Sequence, residues 1–168
     1  MSLSTPSTIA HLNRLANVFK PSNKDQLHCR CSPPAMEVYI PYLVETFRLE
    51  ALELLHASVY LRRLRHLRKR VKRVQRCTPY RLVLAALAVA HKYLRDNSYT
   101  NVDWGRGFHL SKPEMDKAEL AMLKLLGWKL RISDEEQKAV EFSDFDHLKR
   151  PIRENRIPLT REDAIIGT

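Results

Sequence analysis

Cysteines, histidines and paired carboxylates are the side chains that could do chemistry here, and few of them fall at useful spacings. His28-Cys29-Arg30-Cys31 puts three potential metal ligands within four residues. The next cysteine is Cys77, far along the chain, whereas zinc sites normally present their ligands in two compact pairs, so no metal is expected. Asp116 and Glu119, three apart on a helical pattern, share a face, but with no partner histidine they read as surface acids rather than an acid–base couple. Asp144-Phe145-Asp146 matches a kinase metal motif in spelling only, since no glycine follows it. The chain has no Gly-rich phosphate loop, no Gly-x-Ser-x-Gly elbow and no His-Glu-x-x-His pair, and its 4 glycines leave little room for the first two. With no catalytic constellation and no cofactor expected, function is sought in binding.

Charge is the second chemical feature. The 29 Lys and Arg outnumber 19 Asp and Glu, for a formal charge of +10, and nine of the basic residues lie between Arg62 and Arg76 with no acid among them. Arg68, Lys69, Arg70, Lys72 and Arg73 form the centre of this segment. The surplus is therefore local, whereas a protein that wraps long nucleic acid usually spreads it over several elements, so nucleic acid is a disfavoured partner. Leu61, Leu64, Leu67, Val71 and Val74 recur at helical spacing through the same stretch, which predicts one helix with the bases around the rest of its circumference. Such a face serves as a solvated surface, a nuclear import signal or a patch for an acidic partner.

The elements that must position these residues follow from composition and periodicity. In 168 residues with 44% hydrophobic content there is room for one well-buried domain plus tails, and few glycines with 8% aromatics argue for helices over a turn-rich β fold. The longest apolar run, Leu82 to Ala90, is about half the ~20 residues needed to cross a bilayer, so no membrane partner is expected. The start lacks a basic-then-apolar leader and three cysteines make no closed disulfide set; a reducing compartment, nucleus and cytoplasm, is the expected home. Residues 1–34, rich in Ser, Thr and Pro, read as a mobile leader with a possible short helix over 8–19.

From residue 35 the pattern tightens. Met36 to Phe47 reads as an amphipathic helix interrupted or bent at Pro41, followed almost at once by a second helix from Leu52 into the basic segment. Thr78-Pro79 starts a third that is apolar nearly all round from Leu82 to Leu94, the signature of a helix in the middle of a bundle. Ser111 and Glu114 form a capping box for a further helix that Gly127 ends, and an amphipathic segment runs over 133–150 before a charged tail at 151–168.

The string Thr78-Pro79-Tyr80-Arg81-Leu82-Val83-Leu84-Ala85-Ala86-Leu87-Ala88-Val89-Ala90-His91-Lys92-Tyr93 resembles the central helix of a cyclin box, with its terminal Lys-aromatic pair. Asn97 to Trp104 resembles the connection in the fungal Pho-type (PCL) cyclins, and Glu114 to Leu130 is similar to that family's fifth box helix and the segment closing it. The likeness covers roughly 36–136. At two places the chain departs from the pattern: Tyr60-Leu61-Arg62-Arg63 lacks the usual acid ahead of an Arg, and Ala118 stands where Met is common.

The resemblance implies an all-α fold, a cyclin-box helical bundle over 35–132 around the apolar helix. It also implies a regulatory subunit that is not itself an enzyme and that binds and activates a Pho-type cyclin-dependent protein kinase. Lys92 and Glu119 match the positions that family members place beside the kinase's αC helix; Tyr93, Leu123 and Trp128 would add apolar area around them. Two other readings stay open. One is a cyclin-fold transcription factor that contacts nucleic acid through Arg62–Arg76, and the other a scaffold cyclin that holds a kinase without activating it.

Overall fold

The computed structural model describes residues 5–22, 26–27, 29–69 and 74–141. In chain order it contains α1 (Thr5–Val18), β1 (Gln26–Leu27), α2 (Met36–Thr46) and α3 (Ala51–Leu64), a 3₁₀ turn (Arg65–Lys69), then β2 (Val74–Gln75), α4 (Thr78–Leu94), α5 (Asn101–Arg106), α6 (Lys112–Leu125) and α7 (Asp134–Glu141). The architecture is an all-α bundle, with one parallel ladder among the described residues pairing Gln26 with Val74 and Leu27 with Gln75.

A helix with no polar face has to be surrounded, and α4 is. Every residue from Leu82 to His91 is buried; α3 packs along one side, α6 along another and α1 beside them. Ala85, Ala86, Ala88 and Ala90 keep the side chains short enough for that close approach. Around the C-terminal half of α4, Phe47 stacks on the fully buried Trp104 with ring centroids 4.0 Å apart, and Tyr99 and His91 complete an aromatic cluster. This cluster fastens the end of α2 and the whole of α5 to the central helix.

Local signals account for the ends of the later helices. The Glu114 carboxylate accepts from both the N–H and the hydroxyl of Ser111, at 2.8 Å each, which starts α6. Gly127, at φ 59°, takes the left-handed turn that stops it, and the Trp128 N–H closes back onto the Leu123 carbonyl at 3.0 Å. A second capping pair, Thr100 with Asp103, starts α5.

Several expectations change. The possible short helix over 8–19 is present as α1, but it is part of the bundle rather than of a loose leader: its Leu12, Leu15 and Ala16, with the following Phe19, lie in the main core. The bundle therefore begins before residue 35. Its proline and serine content lies outside the buried stripe, which is why composition hid it. The basic stretch is not one continuous helix, because α3 stops at Leu64, tightens into the 3₁₀ turn and gives way to β2, where Val74 is buried. Like charges at i,i+4 spacing, such as Arg65 and Lys69, disfavour prolonging the α-helix there. Helix α2 runs through Pro41 without interruption, with the proline on its exposed side. Helix α4 begins at Thr78, so Cys77 rather than Thr78 is its N-cap. The expected helix over 133–150 is described as far as Glu141; Phe142, Phe145 and Leu148 lie outside the described residues.

Candidate functional site

The C-terminal end of α4 is held by two ionic clusters, one inside and one at the surface. The inner one centres on Glu53, 1% exposed near the start of α3. Its carboxylate accepts from Arg95 Nε at 2.7 Å and from the Glu50 N–H at 3.1 Å, with His91 Nδ1 at 3.5 Å, while Arg95 also reaches Glu50 at 3.0 Å. Burial would push the Glu53 carboxyl up, but Arg95 and the backbone N–H groups outweigh it and hold the pKa below the ordinary carboxylate value. A buried acid so held ties the start of α3 to the end of α4 and fixes where residues 92–95 stand.

The outer cluster contains both polar residues that the sequence reading selects. Lys92 Nζ, on α4, donates to the two carboxylate oxygens of Glu119, on α6, at 2.7 and 2.8 Å, and to Asn101 Oδ1 at 2.7 Å. Asn101, the first residue of α5, donates in turn to Glu119 Oε2 at 2.6 Å and to Asp116 Oδ1 at 2.7 Å, and Lys112 bonds the far side of Asp116 at 2.6 Å. Lys112 first, then Asn101, hold the Asp116 carboxyl below its usual value. Three helices thus meet at one polar node, with the Lys92 and Glu119 side chains 26% and 18% exposed.

Three members of this node, one on each helix, are followed in the chain by an exposed apolar residue: Tyr93 after Lys92, Val102 after Asn101 and Leu120 after Glu119. Exposed apolar side chains beside a half-buried charge pair are what a docking face needs, since apolar area displaces water and the charges supply direction. Trp128 is the most exposed large hydrophobic side chain among the described residues, at 63%, and its backbone sits at φ 61°. A bulky residue in that region is strained, and the turn closing α6 holds it there with its ring in solvent. Tyr93 is half exposed and leans on His56, with ring centroids 5.9 Å apart. Leu123 differs from the expectation: it packs against the core and offers only part of its side chain to the surface.

Asn101, Asp116, Val102 and Leu120 join the face without having been selected from sequence. The spacing of Asp116 and Glu119 puts them on one helix face but does not show that they face a lysine, because their partner is a long way back in the chain. The Thr100/Asp103 capping pair was the available signal for α5 and hence for Asn101. Of the basic segment, Arg68 lies partly buried on the 3₁₀ turn, within 3.4 Å of the Lys20 carbonyl. Lys69 is placed by its backbone only, and Arg70, Lys72 and Arg73 lie outside the described residues.

The expectation that Cys77 stands too far from Cys29 and Cys31 to share a metal is overturned. The three Sγ atoms lie within 4.8 Å of one another, because the β1–β2 ladder carries both segments in parallel to the same spot. These are the residues that could hold a metal ion.

The bundle thus has an apolar central helix with an ionic node at that helix's end. The Cyclin family matches over residues 12–130, and the chain belongs to that family. The matched range starts within α1, in keeping with that helix being part of the bundle. No curated protein matches the chain. Cyclin domains are regulatory and non-catalytic, and membership implies a cyclin-dependent kinase as partner in general terms. Among the described residues no helix is long and apolar enough to cross a membrane.

Proposed function

We propose that this chain is the regulatory subunit of a cyclin-dependent kinase of the Pho type and that it activates that kinase through the face centred on Lys92 and Glu119. The observation that carries the reading is the node itself: a lysine and a glutamate from different helices, bonded together and half buried, with the exposed Tyr93, Val102 and Leu120 next in the chain to its members. Lys92 spends its three donors on Glu119 and Asn101, whereas the Glu119 carboxylate, with about four acceptor sites, accepts from Lys92 twice and from Asn101 once, so the pair keeps acceptor capacity on Glu119. That remainder suits an N–H group at the N-terminal end of a partner helix. Packed against the kinase's αC helix, it would hold that helix where the kinase's own Lys–Glu ion pair forms. Trp128 and Tyr93 supply the aromatic anchors. The fungal PCL assignment rests on the sequence likeness of residues 97–104 and 114–130. Location in nucleus and cytoplasm, with Arg68, Lys69, Arg70, Lys72 and Arg73 as an import or acidic-partner patch, belongs to the same reading.

The test is size-exclusion chromatography of the full chain with a panel of purified cyclin-dependent kinases at micromolar concentration, followed by a kinase assay. The expected result is a stoichiometric complex with a Pho-type kinase and a rise in phosphoryl transfer. Separate peaks with every kinase would overturn the reading, and a complex without a rise in activity would leave a scaffold.

A further inference from the structure

We propose that Cys29, Cys31 and Cys77 form a binding site for a thiophilic d10 cation, zinc in the first instance, which clips the segment leading into α2 to the N-terminus of α4. The convergence is built by the backbone. The β1–β2 ladder pairs Leu27 with Gln75 in parallel, so Cys29 and Cys77 each follow their paired residue by two and emerge side by side; Cys31 turns back onto both. Three sulfurs bound to one zinc at ~2.3 Å in tetrahedral geometry stand ~3.8 Å apart. The observed upper bound of 4.8 Å between any two of these sulfurs requires only side-chain rotation to reach that spacing.

The surroundings match a metal–thiolate centre in two further respects. Cys77 is the N-cap of α4 and fully buried, so one sulfur sits at the positive end of a 17-residue helix and away from water. Arg81, one turn into α4, acts electrostatically on Cys77 and offsets part of the net negative charge of a divalent ion with three thiolates. Cys31 also lines a cavity of about 650 Å³ shared with Tyr39, Tyr42 and Phe108, so the fourth coordination position opens on that side to solvent or an external donor. A disulfide would use two of the three thiols and strand the third, whereas a soft cation uses all of them.

The site is independent of the kinase-docking face, and its test needs no kinase. The full chain is expressed with zinc, purified under reductant without chelator and analysed for metal by mass spectrometry. One equivalent per chain is expected, and Cys29→Ser and Cys31→Ser, at half-buried positions, should each lower zinc affinity at least about tenfold. Cobalt or cadmium added to metal-free protein should give thiolate charge-transfer absorption in the wild type and lose it in both variants. Chelation should lower the melting temperature of the wild type and leave Cys29→Ser unmoved. Cys77→Ala gives the same readouts if it folds; the two serine variants decide the matter if it does not. Substoichiometric zinc in the reduced wild type, zinc retained equally by the variants, or a mass two hydrogens short from a Cys77 disulfide in reductant would each overturn the proposal.

Discussion

A lysine and a glutamate that bond each other and are also meant to bond a partner cannot be tested one at a time. Lys92→Glu or Glu119→Arg breaks the internal pair and leaves the remaining node members facing a like charge, so the fold and the complex both suffer. For each, the complex with the kinase should weaken by ~2 to 5 kcal/mol. The informative variant is the swap, Lys92→Glu with Glu119→Lys, which restores the internal pair with its polarity reversed. Its melting temperature should return towards wild type while kinase affinity, read by calorimetry, stays low. Recovery of both would show that the pair is only structural. Trp128 offers a cleaner separation, since its strained backbone and exposed ring act in opposite directions. Trp128→Gly should leave fold stability within about 1 kcal/mol of wild type, relief of strain offsetting the added freedom of the unfolded chain. The same change should weaken the kinase complex by ~2 kcal/mol or more. Trp104→Ala is the contrast: that ring is fully buried against Phe47, and its removal should cost about 3 to 5 kcal/mol in chemical denaturation.

Among the elements, α4 and α6 were legible in the sequence because each carries a signal that tertiary context does not override: an apolar run without a polar face in one, a capping box and a terminal glycine in the other. The misreadings share a cause as well. The helical spacing of Ile9, Leu12, Leu15 and Phe19 shows the helix over 8–19 but not its place in the core, because these residues sit among serines and prolines, and the 3₁₀ turn and β2 read as helix because their valines and leucines keep a 3.6 period by coincidence of spacing. What could not be read at all is what depends on elements far apart in sequence: Asn101 against Lys92 and Glu119, and Cys77 against Cys29 and Cys31. Arg63 is a further case. It reaches Glu136 at 2.7 and 2.8 Å and donates to the Lys129 and Arg131 carbonyls, so it holds the chain after α6 and the start of α7 against α3. Arg63→Ala should free that segment, seen as faster proteolysis after residue 129 with α4 still protected. If the basic stretch serves import rather than docking, changing Arg68, Lys69, Arg70, Lys72 and Arg73 to Gln should leave kinase affinity nearly unchanged, because charges beyond a Debye length of ~8 Å from a contact add little to it. Nuclear accumulation, followed by fluorescence of a tagged chain, should fall instead.

Over the whole molecule, acid sensitivity is set by histidines that the fold keeps neutral. Burial, with Arg14 and Arg62 nearby, lowers the His11 pKa to about 4, and burial also lowers His56 and His91. The unfolded chain takes up these protons near pH 6.5 and the folded one does not, so stability is full above that value and falls as pH drops from about 6.5 towards 4. His11 alone accounts for up to about 3 kcal/mol of that loss. Urea titrations from pH 7.5 to 4.5 should show the decline, and His11→Gln should flatten it; a profile already flat in the wild type would refute the assignment. Glu53 acts in a lower window, its contribution lost only as pH falls below the ordinary carboxylate range towards its own depressed value. The two-residue ladder between β1 and β2 has a consequence of a different kind, for the order in which the chain assembles. Roughly fifty residues separate its strands, and closing a flexible loop of that size costs about 3.4 kcal/mol or more in entropy, beyond what a pair of two-residue strands returns. The ladder therefore zips only after α2, α3 and α4 have shortened the path between its ends. In native-state amide exchange, Leu27 and Gln75 should lose protection well before Leu84 or Val89 at the centre of the bundle, as the last contacts to form and the first to part.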